Sequence, residues 1–506
     1  MKNNYILLFL IIILIFSTSF SNASKININK NEIQNNTNFT EKTNVDSLSK
    51  FKNPCDKDIL YPLSTNPVIV EKGKNFDIII KTNSFDNIFV YISTAYEPVV
   101  DEIDLLVNNV EEINDEYHLN VFVPFDTPNE LYNLTVIIQR DNNYKTYSRP
   151  RAVNVVEKID DDFNFIHITD LHAGDPRGFL ESIRETLGFR SIKKCIEEIN
   201  LLKPDFVLIS GDLVFGQIYP FEYNCEYKKC FEIIQMFDVP TYVSPGNHDG
   251  YRRILEDGLV FWQKYFGPLY YSFDYGDYHF QSINSYDMPA LMRFTFLFIP
   301  LNWGGSISDS QLSWIEDDLE ENTDKNMTFM FMHHNPIWDT KSDSLIKMGY
   351  KNRRNLLDLI DEYNVDIVLA GHVHYDSVNT VNDTIYITTT TPESEIRVED
   401  GYWGYRLVEI EDDEIKSFNY KDPKYSIPSY QIGYEHVSPF EIKITNNLDE
   451  DITAHVKFVV PRGFYLVQYG YQEGYRNNHV LSEIYAYATI EANSEKNIKI
   501  IEIFIE

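Results

Sequence analysis

Residues 163–172 read FNFIHITDLH, an apolar run that ends at Asp170 and His172. A short apolar run of this kind, followed by an amphipathic pattern through Cys195, predicts a buried strand and then a helix. The alternation continues along the chain, with further apolar runs at 206–210, 241–244, 278–284, 328–332 and 365–370. Strands that alternate with helices are typical of a layered α/β domain, which we expect between residues 160 and 425.

Most of these runs are followed by residue types that bind metal ions. The segments are Asp170-Leu-His172, Gly211-Asp212, Gly246-Asn247-His248-Asp249, His333-His334-Asn335-Pro336 and Gly371-His372-Val373-His374. In open α/β sheets the functional crevice lies beyond the carboxyl ends of the strands, so we expect these segments to converge on one site. Imidazole and carboxylate groups together suit iron, manganese or zinc better than calcium or magnesium.

A pair of such ions predicts phosphoryl chemistry. Two divalent or mixed-valence transition-metal ions about 3.5–4 Å apart can share a bridging carboxylate and a bridging water, which makes hydroxide available near neutral pH. The pair also clamps the oxygens of an in-line displacement at phosphorus. The sequence therefore predicts a phosphoester substrate, a monoester or a diester, that is attacked by a metal-bridging hydroxide.

His248 has a different predicted role. It follows Asn247 directly and cannot easily turn to the same ion, so it is available to the leaving-group oxygen or to charge that develops on phosphate. We predict that His248 is a general acid or a transition-state stabiliser. Asp249 is expected to orient its imidazole, as carboxylates do in other acid–base pairs, and is the second predicted catalytic residue.

In type and order, these segments resemble the motifs of the calcineurin-like metallophosphoesterase superfamily: D-x-H, G-D, G-N-H-D/E, a histidine-containing block and G-H-x-H. The resemblance implies a four-layer αββα domain with two metal ions. It implies the following roles: Asp170, His172 and His374 on the first metal, Asn247, His372 and a histidine of the 333–334 pair on the second, Asp212 bridging both, and His248 as the catalytic histidine.

Two positions depart from the usual family pattern. In the fourth block, aligning the histidine doublet favours His333 as the ligand, whereas counting back from Pro336 favours His334. Purple acid phosphatases carry an iron-binding tyrosine three residues after the bridging aspartate, but here that position is Phe215. The first block also contains His172, so the chain is more similar to the cyclic-nucleotide-phosphodiesterase-like branch.

Sequence on both sides of the α/β region predicts strands without helices. Between 60 and 157, short runs of partly alternating apolar and polar residues lie between turn-forming residues, which predicts a β-sandwich-like module. After residue 430 the helical patterns end, and apolar residues alternate with charged ones from Phe440 to Ile444. We therefore expect a second β module over 430–506.

The N-terminus predicts export. Lys2 precedes an apolar stretch from Tyr5 to Phe16 that is too short to span a membrane, and small residues follow it. We expect a signal peptide over 1–23, a polar linker over 24–59, and a secreted or cell-surface protein without stable membrane insertion. Asn-x-Thr sequences, among them those at Asn38, Asn133, Asn326 and Asn382, match the glycosylation pattern of a glycoprotein.

Charge restricts the classes of partner. With 44 basic and 77 acidic residues the formal net charge is -33, which repels nucleic acid and anionic membranes, so we expect no nucleic-acid polymer as a partner. The chain gives no indication of its oligomeric state. The alternative to an exported hydrolase is a surface adhesion protein that uses its β modules, with the α/β region as a metal-stabilised scaffold. An intact ligand set beside His248 counts against that alternative.

Overall fold

The computed structural model describes residues 58–96, 102–174, 187–216, 223–296, 299–338, 349–392, 399, 401–421 and 425–503. The predicted signal peptide, nearly all of the predicted linker and the sequence at Asn38 lie outside the described residues. In the described part of the chain no helix is long and apolar enough to cross a membrane.

The N-terminal region consists of eight strands. They are β1 (Ile59–Tyr61), β2 (Val68–Glu71), β3 (Asn75–Ile80), β4 (Asn87–Thr94), β5 (Glu102–Ile113), β6 (Glu116–Phe122), β7 (Glu130–Arg140) and β8 (Asn143–Val156). Their order is β1-β3-β6-β5-β4-β7-β8-β2. The long strand β5 pairs with β4 through Glu102–Leu105 and with β6 through its remaining residues, so it joins two groups of strands. Ile78, Leu119 and Val136 belong to the buried cluster that this region encloses.

The middle region alternates strands and helices, as the apolar runs predict. Its strands are β9 (Phe163–Ile168), β10 (Phe206–Ser210), β11 (Thr241–Ser244), β12 (Tyr271–Tyr275), β13 (Tyr278–Ile283), β14 (Thr295–Phe296), β15 (Ile299–Pro300), β16 (Met327–Met332), β17 (Ile367–Ala370), β18 (Ser377–Val381), β19 (Thr384–Thr388), β20 (Gly404–Glu411), β21 (Glu414–Ser417) and β22 (Ile427–Pro428). Its helices are α1 (Leu187–Leu202), α2 (Tyr223–Ile234), α3 (Asn247–Gly250), α4 (Gly258–Tyr265), α5 (Asp309–Glu321) and α6 (Arg353–Glu362).

These strands form two main sheets. The first has the order β11-β10-β9-β20-β21, with β22 added beside β20, and the second has the order β12-β13-β16-β17-β19-β18. Strands β9, β10 and β11 are parallel to one another, as are β13, β16, β17 and β19. Parallel strands place their carboxyl ends at the same edge of a sheet, which positions the loops of the candidate site.

Three hydrophobic clusters separate the layers of this region. Phe165 of β9 and Phe280 of β13 meet between the two sheets, with ring centroids 5.7 Å apart. Ile196 of α1 lies in the cluster on the other face of the first sheet. Leu356 of α6 lies in the cluster on the other face of the second. The predicted α/β domain is confirmed.

The C-terminal region is again made only of strands. They are β23 (Ile432–Ser438), β24 (Glu441–Asn446), β25 (Ile452–Pro461), β26 (Phe464–Gln468), β27 (Tyr471–Asn477), β28 (Leu481–Ile490) and β29 (Ser494–Ile503). They form the sheets β23-β24-β29-β26 and β25-β28-β27. Val456 of β25 belongs to the same hydrophobic cluster as Ile196 of α1, so this region packs directly on the α/β domain. The predicted β-rich sheets at both ends are confirmed.

Candidate metal centre

The predicted ligand segments meet at the carboxyl ends of five parallel strands. Asp170 and His172 follow β9, Asp212 follows β10, Asn247 follows β11, His333 and His334 follow β16, and His372 and His374 follow β17. Apart from the partly exposed His372, these residues are buried. Convergence of segments up to about two hundred positions apart follows from the parallel order of the strands.

One group of ligand atoms lies at the end of β9. The Nε2 atom of His374 is 3.1 Å from Oδ1 of Asp170 and 3.2 Å from Nε2 of His172. The third side of this triangle, from His172 Nε2 to Asp170 Oδ1, measures 3.6 Å. Two nitrogens and one carboxylate oxygen thus face a common centre.

A second group lies at the ends of β10 and β16. The Nε2 atom of His333 is 3.1 Å from Oδ2 of Asp212 and 3.2 Å from Nδ1 of His372. The same Asp212 oxygen is 3.7 Å from Nε2 of His172, which belongs to the first group. Asp212 therefore lies between the two groups, where one carboxylate can reach both.

Two buried oxygen atoms in this cluster indicate that the site fits cations. Asp170 Oδ1 and Asn247 Oδ1 are buried and accept no hydrogen bond from the described residues. Buried polar atoms in folded proteins normally have partners, because desolvation without one is costly. Opposed imidazole nitrogens and unsatisfied carboxylate and amide oxygens form the mixed ligand set that transition metals prefer.

The electrostatics of the cluster also favour positive charge. Burial opposes ionisation of Asp170 and Asp212, but the neighbouring histidines hold the pKa of both carboxyl groups well below the usual range. Burial would likewise lower the pKa of His333, yet the carboxylates of Asp212 and Asp170 raise it to about 9. Without a bound cation, a proton on His333 supplies the charge that the two carboxylates require.

The backbone at the site adopts a conformation that non-glycine residues rarely take. The residues with left-handed φ are Asp170 (56°), His172 (46°), Asp212 (53°), His372 (73°) and His374 (59°). Each such residue costs on the order of 1–2 kcal/mol, and such residues cluster at functional sites. Hydrogen bonds hold the turns in place, since Asp170 Oδ2 accepts from the His372 amide at 2.8 Å and Asp212 Oδ1 accepts from the His248 amide at 2.8 Å.

Gly246 meets a requirement for space at the same turn. A Cβ atom at this position would collide with Oδ1 and the backbone nitrogen of Asp212. Glycine therefore allows the loop after β11 to lie close to Asp212, between the two ligand groups.

The two histidines of the fourth block have different surroundings. Ring nitrogen Nδ1 of His333 donates to the Ser210 carbonyl at 2.9 Å, which turns Nε2 toward Asp212. In His334, Nε2 donates to the Trp303 carbonyl at 3.0 Å and Nδ1 accepts from the Ser285 hydroxyl at 2.9 Å. Burial lowers the pKa of His334 to about 3, so this ring is neutral and fully hydrogen-bonded.

His248 lies beside the cluster. Its Nε2 is 4.0 Å from Asp212 Oδ2, and its ring packs edge-on against His172 with a centroid distance of 4.5 Å. Its Nδ1 donates to the Phe215 carbonyl at 2.5 Å. Because a carbonyl only accepts, this contact fixes the proton on Nδ1 and directs Nε2 toward the two groups. Burial lowers the pKa of His248 to about 4.

The predicted orientation of His248 by Asp249 is wrong. Asp249 Oδ1 accepts from the Val214 amide at 3.0 Å, and Oδ2 accepts from the Gly246 amide at 2.8 Å. Burial raises the pKa of Asp249 to about 7, and the nearby charge of Asp212 adds to the effect. Asp249 thus fixes the loops on either side of the site, and the Phe215 carbonyl orients the imidazole.

Tyr251 is a site residue that lies outside the motifs of the sequence analysis. It is buried, and its hydroxyl accepts from Asn247 Nδ2 at 2.7 Å. This contact leaves Asn247 Oδ1 as the atom available to a metal ion. The spacing of four residues, one helical turn, is the signal that could have identified the pair.

His167 is a core residue next to the site. It is fully buried on β9, with Nδ1 2.7 Å from the Thr389 hydroxyl and Nε2 2.7 Å from the Ser210 hydroxyl. Burial lowers its pKa to about 3. It supports the strand that carries Asp170 and takes no part in the ligand groups.

Several known proteins are similar to this chain in sequence. Residues 163–376 match the family model of the calcineurin-like phosphoesterases. A probable glycerophosphodiester phosphodiesterase GpdQ of Arcobacter nitrofigilis is 27% identical over 219 residues, 42% of this chain and 72% of that protein. A probable cyclic nucleotide phosphodiesterase of Coxiella burnetii is 27% identical over 221 residues, 40% of this chain and 78% of that protein. The predicted branch is confirmed.

Among solved structures, purple acid phosphatase PPD1 from yellow lupin (Lupinus luteus) is 14% identical to this chain, with a TM-score of 0.39. The superposition covers 73% of this chain and 69% of the lupin protein. That likeness is too low to bear on function. The match over residues 163–376 and the buried histidine and aspartate clusters together identify this region as a calcineurin-like metallophosphoesterase domain, and the chain as a metal-dependent phosphoesterase.

Proposed function

We propose that the chain hydrolyses phosphodiesters at a dinuclear transition-metal centre. The observation that carries this proposal is the position of Asp212, whose Oδ2 lies 3.1 Å from His333 Nε2 and 3.7 Å from His172 Nε2. A carboxylate between two nitrogen groups can serve two ions at once. The names of the two bacterial relatives favour a diester over a monoester as the substrate.

Six residues and the shared Asp212 make up the proposed ligand set. They are Asp170, His172 and His374 for one ion and Asn247, His333 and His372 for the other. His334 is left out, because both of its ring nitrogens have protein partners. When bound, two iron, manganese or zinc ions would supply Lewis acidity and lower the pKa of a water molecule.

His248 is proposed to act on the leaving group. Because its Nδ1 is held by the Phe215 carbonyl, only Nε2 faces the cluster. A protonated Nε2 can donate to the leaving oxygen or stabilise charge on the phosphate, and a phosphate near the two carboxylates would favour that proton.

The organisation of the chain is proposed on the same basis. The α/β layers described above support a four-layer αββα domain over 160–425, and the strands at each end support modules over 60–157 and 430–506. Export through a signal peptide over 1–23, the linker over 24–59 and glycosylation rest on the sequence alone.

Hydrolysis assays test the enzymatic proposal. The full chain, loaded with manganese, zinc or iron, is assayed on bis(p-nitrophenyl) phosphate and on p-nitrophenyl phosphate. We expect turnover of the diester, and Asp212→Asn and His248→Ala should each reduce it by about a hundredfold or more. The matched control variants are Asp412→Asn and His436→Ala. Both change exposed residues that lie outside the ligand segments.

Two results would contradict the proposal. Unchanged turnover in both site variants, with their folding verified by circular dichroism, would exclude the assigned roles. Tightly bound metal without turnover of any phosphoester would favour the alternative of an adhesion protein with a metal-stabilised scaffold.

A further inference from the structure

The peptide bond between Phe215 and Gly216 contacts two side chains, one at each end of the peptide group. Its carbonyl accepts from Nδ1 of His248, and its amide donates to Oε2 of Glu226 at 2.9 Å. A peptide unit is planar and almost always trans, so its carbonyl and its amide point in opposite directions. One rigid group therefore connects the carboxylate of Glu226 to the imidazole of His248.

Glu226 is a buried carboxylate next to this peptide. It lies in the first turn of α2, with an exposed fraction of 6%. Acidic side chains are almost never fully buried unless they are paired. The buried Arg253 supplies the opposite charge, because its Nη2 lies 3.8 Å from Oε2 of Glu226. The fold thus keeps an ion pair beside the peptide that contacts His248.

Further contacts fix the same peptide segment. Nε of Arg253 donates to the Gly216 carbonyl at 3.0 Å, and the guanidinium carbon lies 4.0 Å from the ring centroid of Tyr223. The Tyr223 hydroxyl donates to the Tyr251 carbonyl at 2.9 Å. Gly216 has a left-handed φ of 60°, and a Cβ atom there would collide with the His248 carbonyl. The segment therefore packs directly on the turn that carries His248.

The hydrogen bond to Glu226 strengthens the contact at the other end of the peptide. A carboxylate that accepts from the Gly216 amide polarises the peptide group, which makes the Phe215 carbonyl a better acceptor. That carbonyl keeps the proton of the neutral His248 ring on Nδ1 and leaves Nε2 facing the ligand groups. Nε2 is then the nitrogen that exchanges a proton with the leaving oxygen.

We propose that Glu226 is a positioning residue, which acts through the 215–216 peptide to hold His248 in the tautomer and orientation that serve the leaving group. This inference rests on the role proposed for His248. In that reaction water adds to phosphorus, one ester P–O bond breaks, and the alcohol leaves with the Nε2 proton. The proton that the water releases restores the imidazole. The products are the alcohol and a phosphomonoester.

The basicity of the leaving group distinguishes positioning of His248 from a general loss of structure. Protonation of the leaving oxygen accelerates the reaction most when that oxygen is strongly basic. Diphenyl phosphate releases phenol, which is less acidic than the p-nitrophenol that bis(p-nitrophenyl) phosphate releases. Loss of Glu226 should therefore slow hydrolysis of diphenyl phosphate more, whereas a disordered or metal-poor site would slow both reactions alike.

Three variants of the full chain test the proposal. Glu226→Ala removes the carboxylate, and Glu226→Gln keeps an oxygen that can accept from the Gly216 amide. Glu256→Gln is the matched control, because Glu256 pairs with the same guanidinium, with Oε2 3.7 Å from Nη1 of Arg253. The kcat of each manganese-loaded protein is measured on both diesters. Nitrogen-15 NMR of histidine-labelled, zinc-loaded protein reports the tautomer of His248, whose signals are those missing from His248→Ala.

We expect Glu226→Ala to lose about tenfold or more in kcat on diphenyl phosphate and far less on bis(p-nitrophenyl) phosphate. The His248 signals should show the proton on Nδ1 in the wild type and a mixture of tautomers in Glu226→Ala. Glu226→Gln should recover most of the loss, and Glu256→Gln should match the wild type in both measurements. If Glu226→Ala does not fold, Glu226→Leu combined with Arg253→Leu leaves no unpaired charge and should show the same selective loss.

The NMR result and the turnover of the wild type separate the two claims. The same His248 tautomer in the wild type and in Glu226→Ala would overturn the positioning role. A changed tautomer with equal losses on both diesters would overturn its link to the leaving group. A changed tautomer in a chain that hydrolyses neither diester would support the positioning of His248 but contradict the proposed function.

Discussion

The side-chain amide of Asn247 donates a hydrogen bond of 2.7 Å to the hydroxyl of Tyr251, and this contact determines which amide atom faces the metal centre. An amide can present either its nitrogen or its oxygen, and only the oxygen binds a cation. Tyr251 therefore acts on the second metal position through Asn247.

Removing that hydroxyl should weaken metal binding. In Tyr251→Phe the ring remains but the amide loses its orienting partner, so we expect metal affinity to fall by about ten- to a hundredfold. Isothermal titration of the metal-free chain with zinc or manganese measures the change. Tyr278→Phe is the control, because its hydroxyl bonds Asp413 at a distance from the site. Equal affinities in both variants would argue against the orienting role.

The two histidines of the fourth block should respond differently to substitution. His333→Ala removes a proposed ligand, so the metal content of the purified chain should drop and turnover should be lost. His334→Ala removes the imidazole that the Ser285 hydroxyl and the Trp303 carbonyl contact, which should cost about 1–3 kcal/mol of stability while metal remains bound. Elemental analysis and urea unfolding distinguish the two effects. Loss of metal only in the His334 variant would reverse the assignment.

Gly246→Ala should affect the site more than the fold. The added Cβ would collide with Asp212 Oδ1, so the carboxylate between the two groups must move. We expect diester turnover to fall by about a hundredfold or more, since misplaced catalytic geometry is costly even at about 1 Å. Gly433→Ala is the matched control, because its Cβ would meet only Lys194 Nζ, at 3.4 Å. Similar turnover in the two variants would contradict the requirement for glycine.

Glu198 should make stability depend on pH. Burial raises the pKa of this carboxyl group on α1 to about 8, although the Tyr430 amide and the Tyr405 hydroxyl donate hydrogen bonds to it. Between its ordinary value near 4.5 and about 8, the folded state holds a proton that the unfolded state has lost. Stability should therefore fall as pH rises through this window, by up to about 1.4 kcal/mol per pH unit.

The variant Glu198→Gln tests this dependence. In this variant the free energy of unfolding should decrease less steeply with rising pH than in the wild type. Urea unfolding at several pH values across the window measures the slope. The neighbouring Glu197→Gln, at an exposed position, should leave the slope unchanged. An identical slope in wild type and Glu198→Gln would show that another group is responsible.

The strands and the ligand segments could be predicted from sequence because both depend on short-range pattern. The run before Asp170 is mostly apolar, and β9 ends at Ile168, directly before the polar segment. Parallel strand order then brings Asp212 and His374 to the same edge, whatever their separation in sequence. The alternation of elements was therefore enough to locate the site.

Side-chain partners could not be predicted in the same way. Asp249 is adjacent to His248 in sequence, but both lie in the turn of α3, where successive side chains point about 100° apart. Its carboxylate therefore reaches backbone amides and not the imidazole. The choice between His333 and His334 likewise depends on Ser210, Ser285 and Trp303, which no local pattern connects to the doublet.

The contact between α1 and the C-terminal strands has a consequence for cooperativity. Ile196 and Val456 belong to one continuous hydrophobic cluster, and Lys203 of the segment after α1 forms a 2.5 Å ion pair with Glu473. One face of the helix thus covers the first sheet and the other is covered by the C-terminal region. Truncation near residue 430 would expose the apolar area of α1 that the C-terminal strands cover. We therefore expect the C-terminal strands to unfold together with the sheet that carries Asp170 and Asp212.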